Sequence, residues 1–131
     1  LGDATLAGAV TMVVNQRLLR RVCAHCLTPQ AVEKGEANLL GLESQETSAF
    51  KFYRGKGCPQ CNNIGYRGRM AIFEVMKVDD EIRKAIRAGV GTDELHRVAM
   101  AQGMRSLKAD CIEKLRSGHT TFEEFLKASF D

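Results

Sequence analysis

Two Cys-x-x-Cys pairs, Cys23-Ala-His-Cys26 and Cys58-Pro-Gln-Cys61, constrain this chain more than any other feature. Each pair can present two thiolates to one ion from a tight turn, and four thiolates complete a tetrahedral site for Zn²⁺. Thirty-one residues separate Cys26 from Cys58, so a shared ion would join two segments that are distant in the sequence. Because protein ligands would fill all four positions, the predicted site is structural and has no open position for water or substrate.

Iron is an alternative occupant of such a site. The second pair resembles a rubredoxin knuckle, and the separation between the pairs is also rubredoxin-like. Rubredoxins, however, are acidic and much smaller, and they usually place Gly after the second cysteine, where this chain has Leu27 and Asn62. Asn62 can adopt a left-handed turn conformation, whereas Leu27 fits it less well. Two reactive dithiols are a third interpretation, so zinc is favoured while iron and free thiols stay open.

The remaining cysteine and the histidines have simpler interpretations. His25 lies inside the first pair and could be an alternate ligand, although an exposed loop position is favoured. Cys111 has leucines four residues before and four residues after it, which predicts a small buried side chain on a helix. His96 and His119 are isolated, and we assign neither a function.

Length and composition limit the classes of protein to which this chain can belong. A chain of 131 residues with 44% hydrophobic residues can build one core or two small modules. No run approaches the roughly 18 apolar residues that a membrane span needs. The start, Leu1-Gly2-Asp3, is neither basic nor led by Met, so we expect no signal peptide and a piece of something longer. Five cysteines without an export signal favour a reducing compartment and a metal site over disulfides.

The net charge of +3 is unevenly distributed. From Arg17 to Arg69 nine Lys and Arg face four Glu, which gives +5. Four thiolates around Zn²⁺ carry a formal charge of −2, and nearby cations partly offset it, so this excess need not indicate nucleic acid. A nucleic-acid-binding zinc ribbon remains an alternative, suggested by Arg17, Arg20, Arg21, Arg67 and Arg69.

The pattern of apolar residues predicts short elements. Residues 1–16 have a helical face formed by Leu6, Val10, Val13 and Val14. Strands are predicted over 17–22, 50–54 and 70–76, with the third paired to the first, a short helix over 31–42 and a loop over 44–49. In the last third, helices are predicted from 79 or 80 to about 88, from 92 to 103, from 106 to 118, and from Thr121, which opens a capping box.

The sequence contains no recognisable catalytic or nucleotide-binding motif. The G-x-x-x-x-G-K-[ST] phosphate loop is absent, and no G-x-G-x-x-G follows a strand. The acidic residues 79–81 are better explained by a helix N-terminus than by acid–base chemistry. We therefore expect no enzyme activity from this chain alone.

Several segments occur in an order that resembles one family. They are Asn15–Cys26, Gly57–Arg69 and Ile72-Phe73-Glu74, followed by Val78–Glu81, Ala101–Leu107 and Gly118–Glu124. This set resembles the C-terminal part of the secretion ATPases, which comprise the type II secretion motor (general secretion pathway protein E) and the extension ATPases of type IV pilus assembly.

The resemblance implies a hexameric, RecA-like ATPase at the cytoplasmic face of the bacterial inner membrane, peripheral to it and without a membrane span. Such a motor couples ATP hydrolysis to an inner-membrane platform protein that assembles pilin-like subunits. The implied partners are therefore the chain's own ATPase core, neighbouring subunits and that platform protein, not nucleic acid. The family's zinc-binding cysteines map onto Cys23, Cys26, Cys58 and Cys61, while the motifs for ATP and Mg²⁺ would lie upstream of Leu1.

The combined prediction is an α+β fold: a small zinc-clamped β element with a loop and helix insertion, followed by a bundle of short helices. Residues 1–22 would be the tail end of the ATPase core, 23–72 the tetracysteine zinc-binding subdomain, and 73–131 a C-terminal helical subdomain. The expected function is to transmit nucleotide-driven motion to the platform protein. Whether the system is type II secretion, a type IV pilus or a related apparatus stays open.

Overall fold

The computed structural model describes residues 2–41 and 50–130 of the chain. In this part six helices, two 3₁₀ turns and four strands follow one another as α1 (Asp3–Ala9), β1 (Met12–Val22), β2 (Leu27–Gln30), α2 (Lys34–Ala37), a 3₁₀ turn (Asn38–Leu40), β3 (Phe52–Gly55), a 3₁₀ turn (Pro59–Cys61), β4 (Tyr66–Lys77), α3 (Asp80–Arg87), α4 (Thr92–Ala101), α5 (Leu107–Arg116) and α6 (Phe122–Ala128). The mixture of helices and small sheets confirms the predicted α+β class. None of these helices is both long and apolar enough to cross a bilayer.

The strands form two sheets of two strands each. β1 pairs with β4, as predicted for the segments 17–22 and 70–76. β2 pairs antiparallel with β3, and Leu27 lies opposite Gly55. No prediction covers β2, because its sequence Leu-Thr-Pro-Gln lacks apolar alternation and contains a proline. A proline is tolerated there because β2 has a single neighbour and one open edge.

Several predicted boundaries change. The prediction of a helical face that includes Val13 and Val14 is wrong, because α1 ends at Ala9 and both valines lie in β1. Their branched side chains favour extended backbone, which explains the outcome. β4 begins at Tyr66, earlier than predicted, and the helix predicted over 31–42 is a single turn followed by a 3₁₀ turn. The predicted loop over 44–49 lies outside the described residues.

The contacts divide the chain into two compact units, and the division falls within β1 and β4. The first unit consists of Leu1–Gln16 and Phe73–Leu107, and the second of Arg17–Ile72 and Lys108–Asp131. These units describe packing alone. The functional boundaries predicted after residues 22 and 72 stay a prediction.

The first unit is built around α3 and α4. Val78, Ile82 and Ala99 are buried together, and six partly buried residues pack against them: Val10, Met76, Ile86, Leu95, Val98 and Met104. The Asp79 carboxylate accepts a hydrogen bond of 2.9 Å from the backbone N–H of Ile82 and so caps α3. The predicted cap is thereby confirmed, and the helix begins where the sequence placed it.

The second unit has an aromatic core. Phe50 and Phe52 lie with ring centroids 4.7 Å apart, and Phe52 meets Phe122 of α6 edge-on at 5.8 Å. Phe122 in turn stacks on Phe125 at 5.8 Å. These separations are those of favourable aromatic pairs. The row of rings therefore fixes α6 to β3, the strand that leads into the second cysteine pair.

A polar cluster, here called the Arg20 clasp, joins α6 to β1 and β4 and consists of Arg20, Tyr66, Thr121 and Glu124. The Glu124 carboxylate accepts hydrogen bonds from the backbone N–H of Arg20 at 2.9 Å and from its Nε at 2.8 Å. The Arg20 guanidinium lies 3.9 Å from the centroid of the Tyr66 ring, and the Tyr66 hydroxyl is 2.8 Å from Thr121 Oγ1. The hydrogen bond with Glu124 is the main cause that raises the pKa of Arg20.

Two glycines allow the backbone segments behind the cysteine pairs to touch. A Cβ at Gly55 would overlap the carbonyl of Gly65, and a Cβ at Gly65 would overlap the carbonyl of Gly55. Gly65 also has a φ of +86°, a conformation that is costly for residues with a side chain. The approach of β3 to the start of β4 therefore requires glycine at both positions.

Replacing Gly65 by Ala should lower the free energy of unfolding by at least about 1–2 kcal/mol, the cost of a left-handed backbone for a residue with a Cβ. Chemical unfolding followed by circular dichroism measures this loss. Gly35→Ala is the control, because Gly35 lies in α2 and a Cβ at this position would meet nothing within 4 Å. Equal stability of the two variants would contradict the requirement for glycine at position 65.

Replacing Glu124 by Gln should cost about 1–3 kcal/mol, because it removes the charged acceptor of two hydrogen bonds from Arg20. The neighbouring Glu123→Gln is the matched control, since the Glu123 side chain is 60% exposed and that of Glu124 is 7% exposed. We expect a change below about 0.5 kcal/mol for the control. A Glu124→Gln variant as stable as Glu123→Gln would show that the Arg20 clasp does not hold α6.

Candidate metal centre

The four predicted ligands come from the ends of secondary-structure elements in the second unit. Cys23 follows β1 directly, and Cys26 stands immediately before β2. Cys58 lies shortly after β3, and Cys61 ends the 3₁₀ turn that precedes β4. Two turns, here called the first and second knuckles (residues 23–26 and 58–61), thus present their thiols at neighbouring strand ends.

The structure brings the four sulfur atoms into one cluster. All four Sγ atoms lie within 4.8 Å of one another. Cys23 and Cys58 are 3.8 Å apart, Cys26 and Cys61 are 3.8 Å apart, and Cys58 and Cys61 are 3.7 Å apart. A tetrahedron with Zn–S distances of about 2.3 Å has S···S edges of about 3.8 Å. The three distances therefore fit a tetrahedral thiolate site and are far longer than the roughly 2.05 Å of a disulfide.

Hydrogen bonds within each knuckle set the turns. The N–H of Cys26 donates to the carbonyl of Cys23 at 3.4 Å, and the N–H of Cys61 donates to the carbonyl of Cys58 at 3.2 Å. Asn62 follows the second knuckle in the left-handed conformation, with φ of 55°, as the sequence allowed. Leu27 instead begins β2, so the two knuckles continue differently.

Backbone N–H groups are directed at the sulfur of Cys61. The nitrogen of Gly65 lies 3.2 Å from this Sγ, and that of Cys58 lies 3.4 Å from it. Burial alone would raise the pKa of the Cys61 thiol, but these two N–H groups, together with hydrogen bonds to the thiols of Cys58 and Cys26, outweigh it and lower the pKa to about 6. The backbone itself therefore stabilises a thiolate at this position.

Cys26 shows the opposite tendency. Burial raises the pKa of its thiol to about 12, against the lowering effect of the Gly57 N–H. Cys23, Cys26 and Cys61 are at most 4% exposed, so the sulfurs are shielded from water. Four thiolates at such distances would repel one another strongly, and a cation is needed before all four can lose their protons. The donor set thus fits a divalent metal ion with soft ligand preference.

The other candidate residues lie outside the cluster. His25 is exposed on the first knuckle and is not part of the group that could hold an ion. Cys111 is fully buried on α5, as predicted. Burial, with smaller effects of Asp110 and Glu124, raises the pKa of the Cys111 thiol to about 12. It is therefore a core residue and not a reactive thiol.

Gly65 is a site residue that the sequence patterns did not indicate. Its N–H faces the sulfur of Cys61, and its carbonyl accepts a bond of 3.0 Å from the N–H of Cys23. Gly65 thus links the first knuckle to the second.

Comparison with known proteins gives a consistent result over nearly the whole chain. Residues 2–127 match the family described as Type II/IV secretion system protein. The chain is 40% identical to the Type IV pilus assembly ATPase PilB of Thermus thermophilus, over 96% of this chain and 14% of that protein. It is 37% identical to the Type II secretion system protein HxcR of Pseudomonas aeruginosa, over 96% of this chain and 23% of that protein.

A third relative is the Type II secretion system ATPase E of Vibrio cholerae, which is 32% identical over 95% of this chain and 24% of that protein. The chain therefore spans between 14% and 24% of the length of these three relatives. Two of the three are named ATPases, which agrees with the resemblance seen in the motifs. With the family match and the clustered cysteines together, this chain belongs to the type II/IV secretion system protein family.

Proposed function

We propose that this chain is the zinc-binding module of a secretion or pilus-assembly motor, and that it transmits nucleotide-driven motion to an inner-membrane platform protein. The observation that carries the proposal is the closed cluster of four cysteines in a member of this family. Such a cluster has no open position for chemistry, so its contribution is mechanical.

Cys23, Cys26, Cys58 and Cys61 would hold the ion. Zinc is favoured because four cysteine ligands in tetrahedral arrangement are typical of structural zinc sites. When bound, zinc cross-links the two knuckles and supplies the positive charge that four close thiolates need. Zinc has no redox chemistry of its own, which suits a part whose shape has to stay constant.

The chain's own residues stiffen the module around the ion. The Gly55–Gly65 contact fixes the end of β3 against the start of β4. The Arg20 clasp and the row of phenylalanine rings then fix α6 to the same strands. A displacement of α6 would therefore be passed on to the knuckles, because the contacts that join α6 to the strands would deform little.

The wider assignment follows from the family. In this proposal residues 1–22 end the ATPase core, residues 23–72 form the zinc-binding subdomain, and residues 73–131 form the C-terminal helical subdomain. ATP and Mg²⁺ bind to a core upstream of Leu1, in a hexamer peripheral to the cytoplasmic face of the bacterial inner membrane. The chain alone hydrolyses nothing, and its partners are that core, neighbouring subunits and the platform protein.

Chain purified under reducing, chelator-free conditions is expected to contain about one zinc ion. A mercurial that titrates the thiols should release it, with a colorimetric zinc indicator as the readout.

Cys111 should resist alkylation in the folded protein, because its side chain is fully buried and its pKa is raised to about 12. Acidification should also release the metal, because protons compete for the thiolates.

Two results would overturn this assignment. Stoichiometric iron with a coloured protein would favour the rubredoxin-like interpretation. Absence of metal, with the four cysteines joined as disulfides, would remove the structural site altogether.

In the intact motor, replacing Cys58 by Ser should abolish secretion or pilus assembly, because three remaining thiolates hold zinc less well and the knuckles loosen. Cys111→Ala is the control: it removes a thiol outside the cluster at a cost of about 1 kcal/mol and should leave metal content unchanged. Normal assembly by a Cys58→Ser motor that has lost its zinc would refute the mechanical role.

A further inference from the structure

Two large aliphatic side chains are exposed beside the knuckles. Leu27, directly after the first knuckle, is 42% exposed, and Ile64, three residues after the second, is 61% exposed. Scattered exposed aliphatic residues are ordinary on a protein surface, so exposure alone has no consequence. Their position relative to each other and to nearby charges is what distinguishes this pair.

Backbone contacts place the two residues in one neighbourhood. Leu27 lies opposite Gly55 in the β2–β3 ladder. Gly55 touches the backbone of Gly65, which is the residue after Ile64. Leu27 therefore pairs with one glycine of the Gly55–Gly65 contact, and Ile64 directly precedes the other. Each of the two residues also follows a knuckle closely in the sequence.

Basic residues lie near this pair along the chain. Residues 50–72 contain five Lys or Arg and no Asp or Glu. Lys56 is next to Gly55 and donates its backbone N–H to the carbonyl of Cys26 at 3.1 Å, and Arg67 is two residues beyond Gly65. Both side chains are exposed, and neither makes an ion pair with any residue in the ranges 2–41 and 50–130.

The side chains of these cations do not contact the thiols directly. Within the described part of the chain, the groups directed at the sulfur of Cys61 are the backbone N–H groups of Cys58 and Gly65. No side-chain hydrogen bond or ion pair joins Lys56 or Arg67 to a cysteine there. Within residues 2–41 and 50–130, neither cation therefore has a carboxylate partner.

We propose that Leu27, Lys56, Ile64 and Arg67 form a docking surface, here called the knuckle surface, for an acidic amphipathic segment of a partner protein. The two aliphatic side chains would take the apolar face of that segment, and the two cations would pair with carboxylates at its edge. The inference rests on the proposed function and names the part of the module that meets the platform protein.

The chemistry of the surface favours protein over the other polyanions. Surfaces that bind single-stranded nucleic acid stack bases on exposed aromatic rings, and here the Tyr66 ring is covered by Arg20. Helices that lie on anionic membranes present a broad apolar face, often with Trp or Phe. The knuckle surface offers two aliphatic side chains, which suits the small apolar stripe of a protein segment.

The test measures binding of the 131-residue chain to the purified cytoplasmic region of the platform protein encoded in the same genome, by fluorescence anisotropy at several salt concentrations. The double variant Lys56→Glu/Arg67→Glu should bind about ten-fold more weakly or worse, because like charges would then face each other. Ile64→Ser should weaken binding comparably but with less change in salt dependence, because it removes apolar surface without adding a charge. Lys77→Glu, an exposed cation of β4 outside the knuckle surface, is the matched control and should bind normally.

Zinc content and circular dichroism of each variant show that the module has kept its fold. If the wild-type chain binds and both knuckle-surface variants bind equally well, the knuckle surface is wrong and the proposed function stands. If the wild-type chain does not bind the platform protein, the proposed partner itself is wrong and the inference falls with it. If the wild-type chain instead binds phosphatidylglycerol vesicles and Lys56→Glu/Arg67→Glu removes that binding, the occupant is a membrane and not a protein segment.

Discussion

The second unit depends on one constraint: four sulfur atoms have to be held at the corners of a tetrahedron by two turns that are far apart in the sequence. The distances of 3.7–3.8 Å between sulfurs are reached because the backbone touches itself at Gly55 and Gly65. Any side chain at either glycine would separate the strands that carry the knuckles. The metal site and the close backbone contact are therefore two aspects of the same packing.

The charges of the second unit are arranged in two layers. Inside, backbone N–H groups face the Cys61 sulfur and stabilise negative charge without any basic side chain. Outside, Lys56 and Arg67 remain exposed beside Leu27 and Ile64. In the proposed function, a bound ion and the backbone N–H groups would together balance the charge of the thiolates. Lys56 and Arg67 would then serve the proposed docking surface.

The helices of the second unit are short and would be marginal alone in water. They are held by tertiary contacts that reach far along the sequence, notably the Arg20 clasp and the row of phenylalanine rings. Both connect α6 with strands on either side of the cysteine cluster. This arrangement makes the C-terminal helix and the metal site one mechanical piece, which is the property that a transmission module in a motor would need.

The sequence by itself determined the cysteine pairs, the α+β class, the pairing of β1 with β4 and the starts of the C-terminal helices, because these depend on local spacing and capping. It also indicated the family. Only the tertiary structure decided that β2 is a strand, since Leu-Thr-Pro-Gln has no strand pattern of its own and is extended because β3 pairs with it. The helical face through Val13 and Val14 failed for the same reason, as pairing in β1 outweighed a weak helical periodicity. The double role of Gly65 and the neighbourhood of Leu27 and Ile64 likewise come from contacts between residues that are 10 (Gly55–Gly65), 28 (Leu27–Gly55) and 42 (Cys23–Gly65) positions apart, which local sequence patterns do not encode.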